Sequence, residues 1–217
     1  MELYLIRHGE IAGDPHQHYE PPVDGCLSEW GCNQAQKLAE RLADVRFDAI
    51  FASPLGRAIQ TAQPLARQQN IQIRVAPWLI EWRPADVLGT DVLGTSDGAN
   101  YEEMERRANS LRREKCWKTA AGESTFEMAH RLIPGFLEWL EEQGAEAGHG
   151  GYLFNETAAQ DKRIALFGHG GSLGMLAAFL LGIPLAPHSP IALALTAAAV
   201  FRFQKRADVW YPTLHIS

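Results

Sequence analysis

Three short stretches of this chain place a histidine or an arginine beside glycine or serine in a way that suits chemistry on a phosphate. They are Arg7-His8-Gly9-Glu10, Ser53-Pro54-Leu55-Gly56-Arg57 and Gly168-His169-Gly170-Gly171. Phosphoryl transfer asks for a nucleophile in line with the leaving oxygen, cations around the three equatorial oxygens and an acid for the leaving group. Arg7 and Arg57 offer forked guanidinium donors matched to phosphate oxygens. His8 can attack through a neutral ring nitrogen, and His169, if protonated in the complex, adds a third donor. Gly9, Gly168, Gly170 and Gly171 let backbone approach an anion with no Cβ in the way. A helix beginning after Gly170 would favour negative charge at its N-terminus, which makes Gly170 a candidate phosphate contact.

The elements that must hold these motifs follow from the flanking residues. Each motif comes directly after a short apolar run: Leu3–Ile6, Phe47–Ala52 and Ile164–Phe167. Runs this short, with β-branched and aromatic residues, fit strands buried on both faces of a parallel sheet. Ser28 can cap a helix to about Asp44, with Leu38, Leu42 and Val45 on one face. Ser53-Pro54 reads as an N-cap followed by proline at the first helical position. Ser124-Thr125-Phe126-Glu127 has capping-box spacing and opens an amphipathic stretch to about Gln143. Gly182 and Pro184 close the helix that follows Gly168-His169-Gly170-Gly171. Strands alternating with helices predict an α/β fold, a three-layer sandwich with a mostly parallel central sheet flanked by helices. In such sheets ligands bind outside the carboxyl ends of the strands, where all three motifs would meet. Residues 86–118 are polar, turn-rich and then helical from about Asn100, which suits a small lid inserted into a single domain spanning 1–217. Residues 144–161 read as a surface excursion before the third strand.

A length of 217 residues with 46% hydrophobic content supports one sizeable core. The formal charge of −6 gives no long-range attraction to nucleic acid or to an anionic membrane, so an anionic substrate must be met by cations gathered in a pocket. The apolar stretches Leu173–Leu185 and Ile191–Phe201 fall short of the roughly 20 residues a spanning helix needs. Prolines 184, 187 and 190 interrupt this region. The N-terminal apolar run is too short for a signal peptide. Cys26, Cys32 and Cys116 are odd in number and form no C-x-x-C, which indicates neither a disulfide framework nor a zinc clip. The expectation is a cytoplasmic protein acting on a small phosphorylated substrate, with no nucleic-acid or membrane partner, no metal and no cofactor.

Taken in order, the motifs resemble those of the histidine phosphatase superfamily, also called the phosphoglycerate mutase-like family, over most of the chain. Arg7-His8-Gly9-Glu10 is similar to its signature after the first strand. Leu27-Ser28-Glu29-Trp30-Gly31 through Gln34-Ala35 resembles its first helix start. Ser53 to Ala62 resembles the segment carrying its second phosphate arginine. Gly122-Glu123-Ser124 with Arg131 resembles a later helix start, and Gly168-His169-Gly170-Gly171 its second histidine. The resemblance implies that His8 is phosphorylated, that Arg7, Arg57 and His169 form the phosphate pocket, and that Glu81 is the proton donor. Asp14 stands where the family often has asparagine and is given no phosphate role. No Gly-x-Trp-Glu-Gly type segment follows Glu81, and the loop after Glu10 lacks the glycolytic mutase pattern. The reading is therefore a phosphomonoester hydrolase, with a phosphoglycerate-type phosphomutase as the alternative.

Rival readings exist for several of these residues. Gly170-Gly171-Ser172-Leu173-Gly174 spells the G-x-S-x-G nucleophile elbow of α/β-hydrolases, which would make Ser172 an esterase nucleophile. That fold needs an acid and then a histidine after the serine. Only Asp208 and His215 remain, with too little chain between them, and Arg7, His8 and Arg57 go unexplained. A non-catalytic phosphate-binding protein would not require a nucleophile. Gly148-His149-Gly150-Gly151 repeats the letters of the His169 motif but follows a polar helix end, which predicts a loop histidine. His16-Gln17-His18, with Cys26 and Cys32 nearby, lacks metal-ligand spacing. Trp78 and Trp82 flank Glu81 and suit either core packing or an aromatic wall for the substrate's organic part.

Overall fold

Strand β1 (Glu2–Arg7) shows how this sequence builds its layers. Successive side chains of a strand point to opposite faces of the sheet. Leu3 and Leu5 accordingly enter one core while Tyr4 and Ile6 enter another. A strand buried on both faces needs helices above and below it. Helices α1 (Glu29–Arg41) and α2 (Gly56–Gln69) cover the Tyr4 and Ile6 face, through Leu38, Leu42, Ala62 and Leu65. Helices α3 (Thr125–Glu142) and α4 (Gly170–Leu180) cover the other face, through Leu132, Phe136, Leu140, Leu173 and Leu176. The result is the expected three-layer α/β sandwich. The computed structural model describes residues 1–12, 26–81, 123, 125–148, 150–155, 159, 161–184 and 191–215. The lid expected at 86–118 lies outside the described residues, as do Asp14, His16, His18, Trp82, Ser124 and His149.

The remaining strands are β2 (Ala49–Ala52), β3 (Ile73–Val75), β4 (Ala145–Gly148), β5 (Gly151–Phe154), β6 (Arg163–Gly168), β7 (Ala198–Arg206) and β8 (Val209–His215). They form one eight-stranded sheet in the order β3-β2-β6-β1-β7-β8-β5-β4. The four strands from β3 to β1 are mutually parallel, and every pairing from β1–β7 outward is antiparallel. The sheet as a whole is therefore mixed, and its parallel half is the half that the three motifs follow. Residues 145–148 and 151–154 pair as the antiparallel strands β4 and β5 and extend the sheet edge, rather than forming a loose surface excursion. Gly150, at φ +78°, supplies the turn conformation that L side chains rarely adopt.

Two helix starts differ in an instructive way. Ser28 caps α1 as expected, its hydroxyl accepting from Gly31 N at 2.9 Å. Helix α2 begins instead at Gly56 with Leu55 as N-cap, so Ser53-Pro54 is not its cap. Ser53 N continues the sheet ladder, donating to Phe167 O at 2.8 Å, and its hydroxyl serves the site described next. Helix α4 is apolar all round and sits buried, as such a composition requires. Among the described residues no helix is long and apolar enough to cross a membrane.

Candidate active site

The register of the parallel strands brings three chain exits to one rim. Arg7 stands opposite Gly168, and Ala52 opposite Phe167, so His8, Ser53 and His169 leave adjacent strands side by side. His8 N donates to Gly168 O at 3.0 Å, which carries the ladder one residue past β1. The rings of His8 and His169 then stand 5.1 Å apart, tilted by 58°.

The partners of each ring fix its protonation. His8 Nδ1 lies 2.7 Å from Gly9 O, and a carbonyl can only accept, so Nδ1 carries the proton and Nε2 keeps its lone pair. Burial pushes the His8 pKa down to about 4, helped by the Arg57 and Arg7 charges and opposed by the bond to Gly9. His169 Nδ1 lies 3.2 Å from Arg57 Nε, which can only donate, so this nitrogen is the acceptor. Its Nε2 therefore bears the proton and donates to Ser53 Oγ at 2.7 Å. His169 is fully buried, and desolvation with Arg57, His8, Arg7 and Arg131 around it holds its pKa well below the usual histidine range. Both rings are neutral in the resting molecule.

Two arginines face these rings. Arg7 Nη1 donates to Leu193 O at 2.8 Å, while its buried Nε has no hydrogen-bond partner. A buried guanidinium nitrogen without an acceptor is a costly feature that an anion would relieve. Arg57, near the start of α2, meets His169 through its Nε. Thr61, one turn on, donates to Arg57 O at 2.7 Å and accepts from Gly9 N at 3.0 Å, tying α2 to the loop after β1. That loop is held from α1 as well. Gln34 Oε1 accepts from Glu10 N, and Ser28 Oγ donates to Glu10 Oε1, both at 2.8 Å. A Cβ on Gly31 would lie 2.0 Å from Glu10 O, so this approach requires glycine.

The two glycines after His169 do different work. A Cβ on Gly170 would press on the Arg7 guanidinium, 3.3 Å from its Cζ, so Gly170 is the floor on which Arg7 lies. Gly171 and Ser172 donate their backbone N–H groups to Glu81, at 3.1 Å to Oε2 and 2.9 Å to Oε1. The N-terminus of α4 does attract an anion, as the sequence suggested, and the anion it holds is Glu81. The structure thus gathers Arg7, His8, Arg57, Glu81, His169 and Gly170 in one place.

Ser172 itself is fully buried, and its hydroxyl has no hydrogen-bond partner, so nothing activates it as a nucleophile. His215, the histidine a serine mechanism would need, contacts Thr213 Oγ1 at 3.2 Å on β8. Trp78 packs against Phe136 and Trp139, which is the core role. Three contributions escaped the sequence reading: the Ser53 hydroxyl on His169, Thr61 as the tie to Gly9, and Arg131 beneath Glu81. All three lie in quoted motifs, yet only the fold shows which atoms they meet. Among the described residues no three of His, Cys, Asp and Glu converge as a metal site.

A profile of the histidine phosphatase superfamily (branch 1) matches residues 3–211. The chain is 28% identical over 186 residues to a probable phosphoglycerate mutase of Escherichia fergusonii, covering 85% of this chain and 76% of that protein. It is also 28% identical over 183 residues to a glucosyl-3-phosphoglycerate phosphatase of Mycolicibacterium vanbaalenii, covering 84% and 75%. Among solved structures, a mycobacterial glucosyl-3-phosphoglycerate phosphatase superposes with a TM-score of 0.74 at 23% identity, over 98% of this chain and 97% of that one. The α-ribazole phosphatase of Shigella flexneri gives 0.72 at 22% identity, over 99% and 95%.

Proposed function

The chain belongs to the histidine phosphatase superfamily, and we propose that it hydrolyses small phosphomonoesters through a phosphohistidine on His8. The observation that carries this reading is the His8 ring. Its Nδ1 proton is committed to Gly9 O, which leaves the Nε2 lone pair as the free nitrogen of a buried, neutral imidazole beside two guanidinium groups. Glu81, a carboxylate at rest, takes up the proton of the monoanionic ester on binding. The His8 Nε2 lone pair then attacks phosphorus, the ester P–O bond breaks, and the leaving oxygen takes that proton from Glu81. Water then adds to the phosphoryl group and gives a proton to Glu81. The P–N bond breaks, and the electron pair returns to His8 Nε2.

Arg7 and Arg57 hold the equatorial oxygens, with Gly170 beneath Arg7. When Arg57 turns to phosphate, His169 Nδ1 loses its donor and can take a proton under the dianion, becoming the third phosphate donor. Ser53 keeps the ring in place throughout. The similarity to a probable phosphoglycerate mutase supports a second reading, in which a bound hydroxyl rather than water accepts the phosphoryl group. Both readings share the first half-reaction. Cys26 and Cys32 are exposed free thiols, which supports a reducing, cytoplasmic setting.

Labelling during turnover with a 32P-phosphomonoester tests the nucleophile. The expected adduct is acid-labile, alkali-stable and located on His8, because a phosphoramidate hydrolyses when its nitrogen is protonated. An alkali-labile ester on a serine would overturn the assignment.

A further inference from the structure

Glu81 lies just beyond a short 3-10 turn (Pro77–Leu79) that joins β3 to residues outside the described set. A segment of this kind does not by itself hold a side chain in one place, yet Glu81 is gripped at two points. Its carboxylate rests on the first turn of α4, through Gly171 N and Ser172 N. Its backbone rests on Arg131 of α3. Nη1 of Arg131 donates to Trp78 O at 3.3 Å and Ile80 O at 2.9 Å, and Nη2 donates to Glu81 O at 2.9 Å. The remaining two N–H donors, Nε and the second of Nη2, form a fork on the Glu123 carboxylate.

An arginine has five N–H donors, and these contacts use all five. Arg131 therefore has no donor left for a substrate, although its charge is felt at His169. Three backbone carbonyls and both oxygens of a carboxylate present five acceptors, which match the five donors of a guanidinium and outnumber the three of an ammonium. The apolar side of the mount matches. A Cβ on Gly135 would lie 2.4 Å from Trp78 Cβ, so α3 and the 3-10 turn meet at glycine distance. A Cβ on Gly171 would lie 2.6 Å from Glu81 Oε1, closer than real Cβ contacts allow.

We infer that Arg131 and Gly171 are positioning residues for Glu81: Arg131 fixes its backbone, and the bare Cα of Gly171 lets its carboxylate reach the N-terminus of α4. The inference rests on the reading of Glu81 as the proton donor, and its consequence is selective. An acid that stands wrongly penalises a strongly basic leaving group much more than one that departs unaided. Misplacement by about 1 Å can cost on the order of 10²-fold.

The test measures rapid-quench phosphoenzyme bursts from sn-glycerol 3-phosphate and from p-nitrophenyl phosphate, in the full chain and in Gly171→Ala, Arg131→Lys and Glu81→Gln. The atom that a Cβ on Gly171 would meet is the far end of a flexible side chain, and alanine is favoured over glycine in a helix, so Gly171→Ala should fold cooperatively with a Tm near the parent's even if Arg131→Lys does not. Gly171→Ala should lower the glycerol phosphate burst by about 10–100-fold and the nitrophenyl burst much less. In the Glu81→Gln background it should cost nothing more on glycerol phosphate. The amide proton of Ser172 gives a readout apart from catalysis, and it should move upfield in both positioning variants as its charge-assisted bond weakens. Equal losses on both substrates with an unmoved Ser172 amide would overturn the inference. If Glu81→Gln shows no contrast between the substrates, the proton-donor reading fails. The Ser172 amide then decides the positioning alone, upfield movement upholding it and no movement ending it.

Discussion

The two halves of one continuous sheet do different things. In the parallel half, β1, β2 and β6 are almost wholly buried, and their polar atoms emerge together at the carboxyl rim as Arg7, His8, Ser53 and His169. In the antiparallel half, β5, β7 and β8 carry a ladder of aromatic rings. Phe203 meets Tyr152 edge-on at 5.1 Å and Phe154 at 5.7 Å, and Phe154 meets Trp210 at 4.9 Å. Parallel strands all exit on the same side, so side chains following different strands converge without long loops. Antiparallel neighbours exit on opposite sides and offer no such meeting point. One half therefore gathers the candidate catalytic groups and the other supplies packing.

The largest expected effects separate the two halves cleanly. On the proposed mechanism Arg7→Ala removes a preorganised donor from the transition state, which should lower kcat/KM by about 10²–10³-fold. Because Arg7 Nε is already unpaired, the loss in unfolding free energy should be small by comparison. Phe203→Ala should do the opposite. Deleting a buried ring costs about 3–5 kcal/mol in urea unfolding, while the remaining folded enzyme turns over normally. A Phe203→Ala protein that is fully folded by circular dichroism yet inactive would break the division of labour.

A smaller effect comes from pH. His8 and His169 are neutral in the fold, with His8 at about 4 against an ordinary value of 6.5. Between those values the unfolded chain binds protons that the folded chain refuses, so stability rises with pH there. It is complete above pH 6.5 and is lost as pH falls towards 4. His8 alone contributes about 3 kcal/mol across that window. Urea midpoints at pH 7, 6 and 5 should fall steeply for the parent chain and less steeply for His8→Gln. Phe203→Leu, in the other half, should lower every midpoint without changing the slope. The same His8 value predicts that kcat/KM keeps its nucleophile down to about pH 4.

The parallel half was also the legible half. Continuous apolar runs followed by glycine, serine and a cation announce a strand, its exit and the residue presented there. Arg7, His8, Arg57 and His169 could thus be placed from local pattern. What could not be placed is partner choice across the chain. Ser53 looks like a helix cap and instead bonds His169, 116 positions away. Gly170 and Gly171 look alike and serve Arg7 and Glu81 respectively. Arg131 reads as part of a helix-start motif with Glu123, and its five acceptors, three of them on residues 78–81, emerge only in the fold. The antiparallel half went largely unread for a different reason. Its last hairpin, β7–β8, turns at Ala207 with φ +54°, where no glycine, asparagine or proline marks the corner. The loop before β7 likewise bends at Thr196 with φ +54°, an uncommon conformation for a β-branched residue.

The smallest expected effect sharpens the comparison most, because it asks whether everything at the parallel rim is chemistry. Ser172 sits in the first turn of α4, three residues beyond His169, in a sequence that spells a nucleophile elbow. Its hydroxyl is fully buried and has no hydrogen-bond partner, while its backbone N–H is the group that meets Glu81. Ser172→Ala keeps that N–H and deletes only the unpaired oxygen. A buried hydroxyl without a partner is destabilising, and alanine is the better helix former, so stability should rise by about 1 kcal/mol. Turnover and the acid-labile phosphoenzyme on His8 should persist. Loss of both, with a normal circular dichroism spectrum, would mean that the serine carries the reaction and that His8 serves it. Retention would show that the rim holds a residue whose side chain is packing alone, and that convergence at the strand ends identifies a site without making every group there a participant.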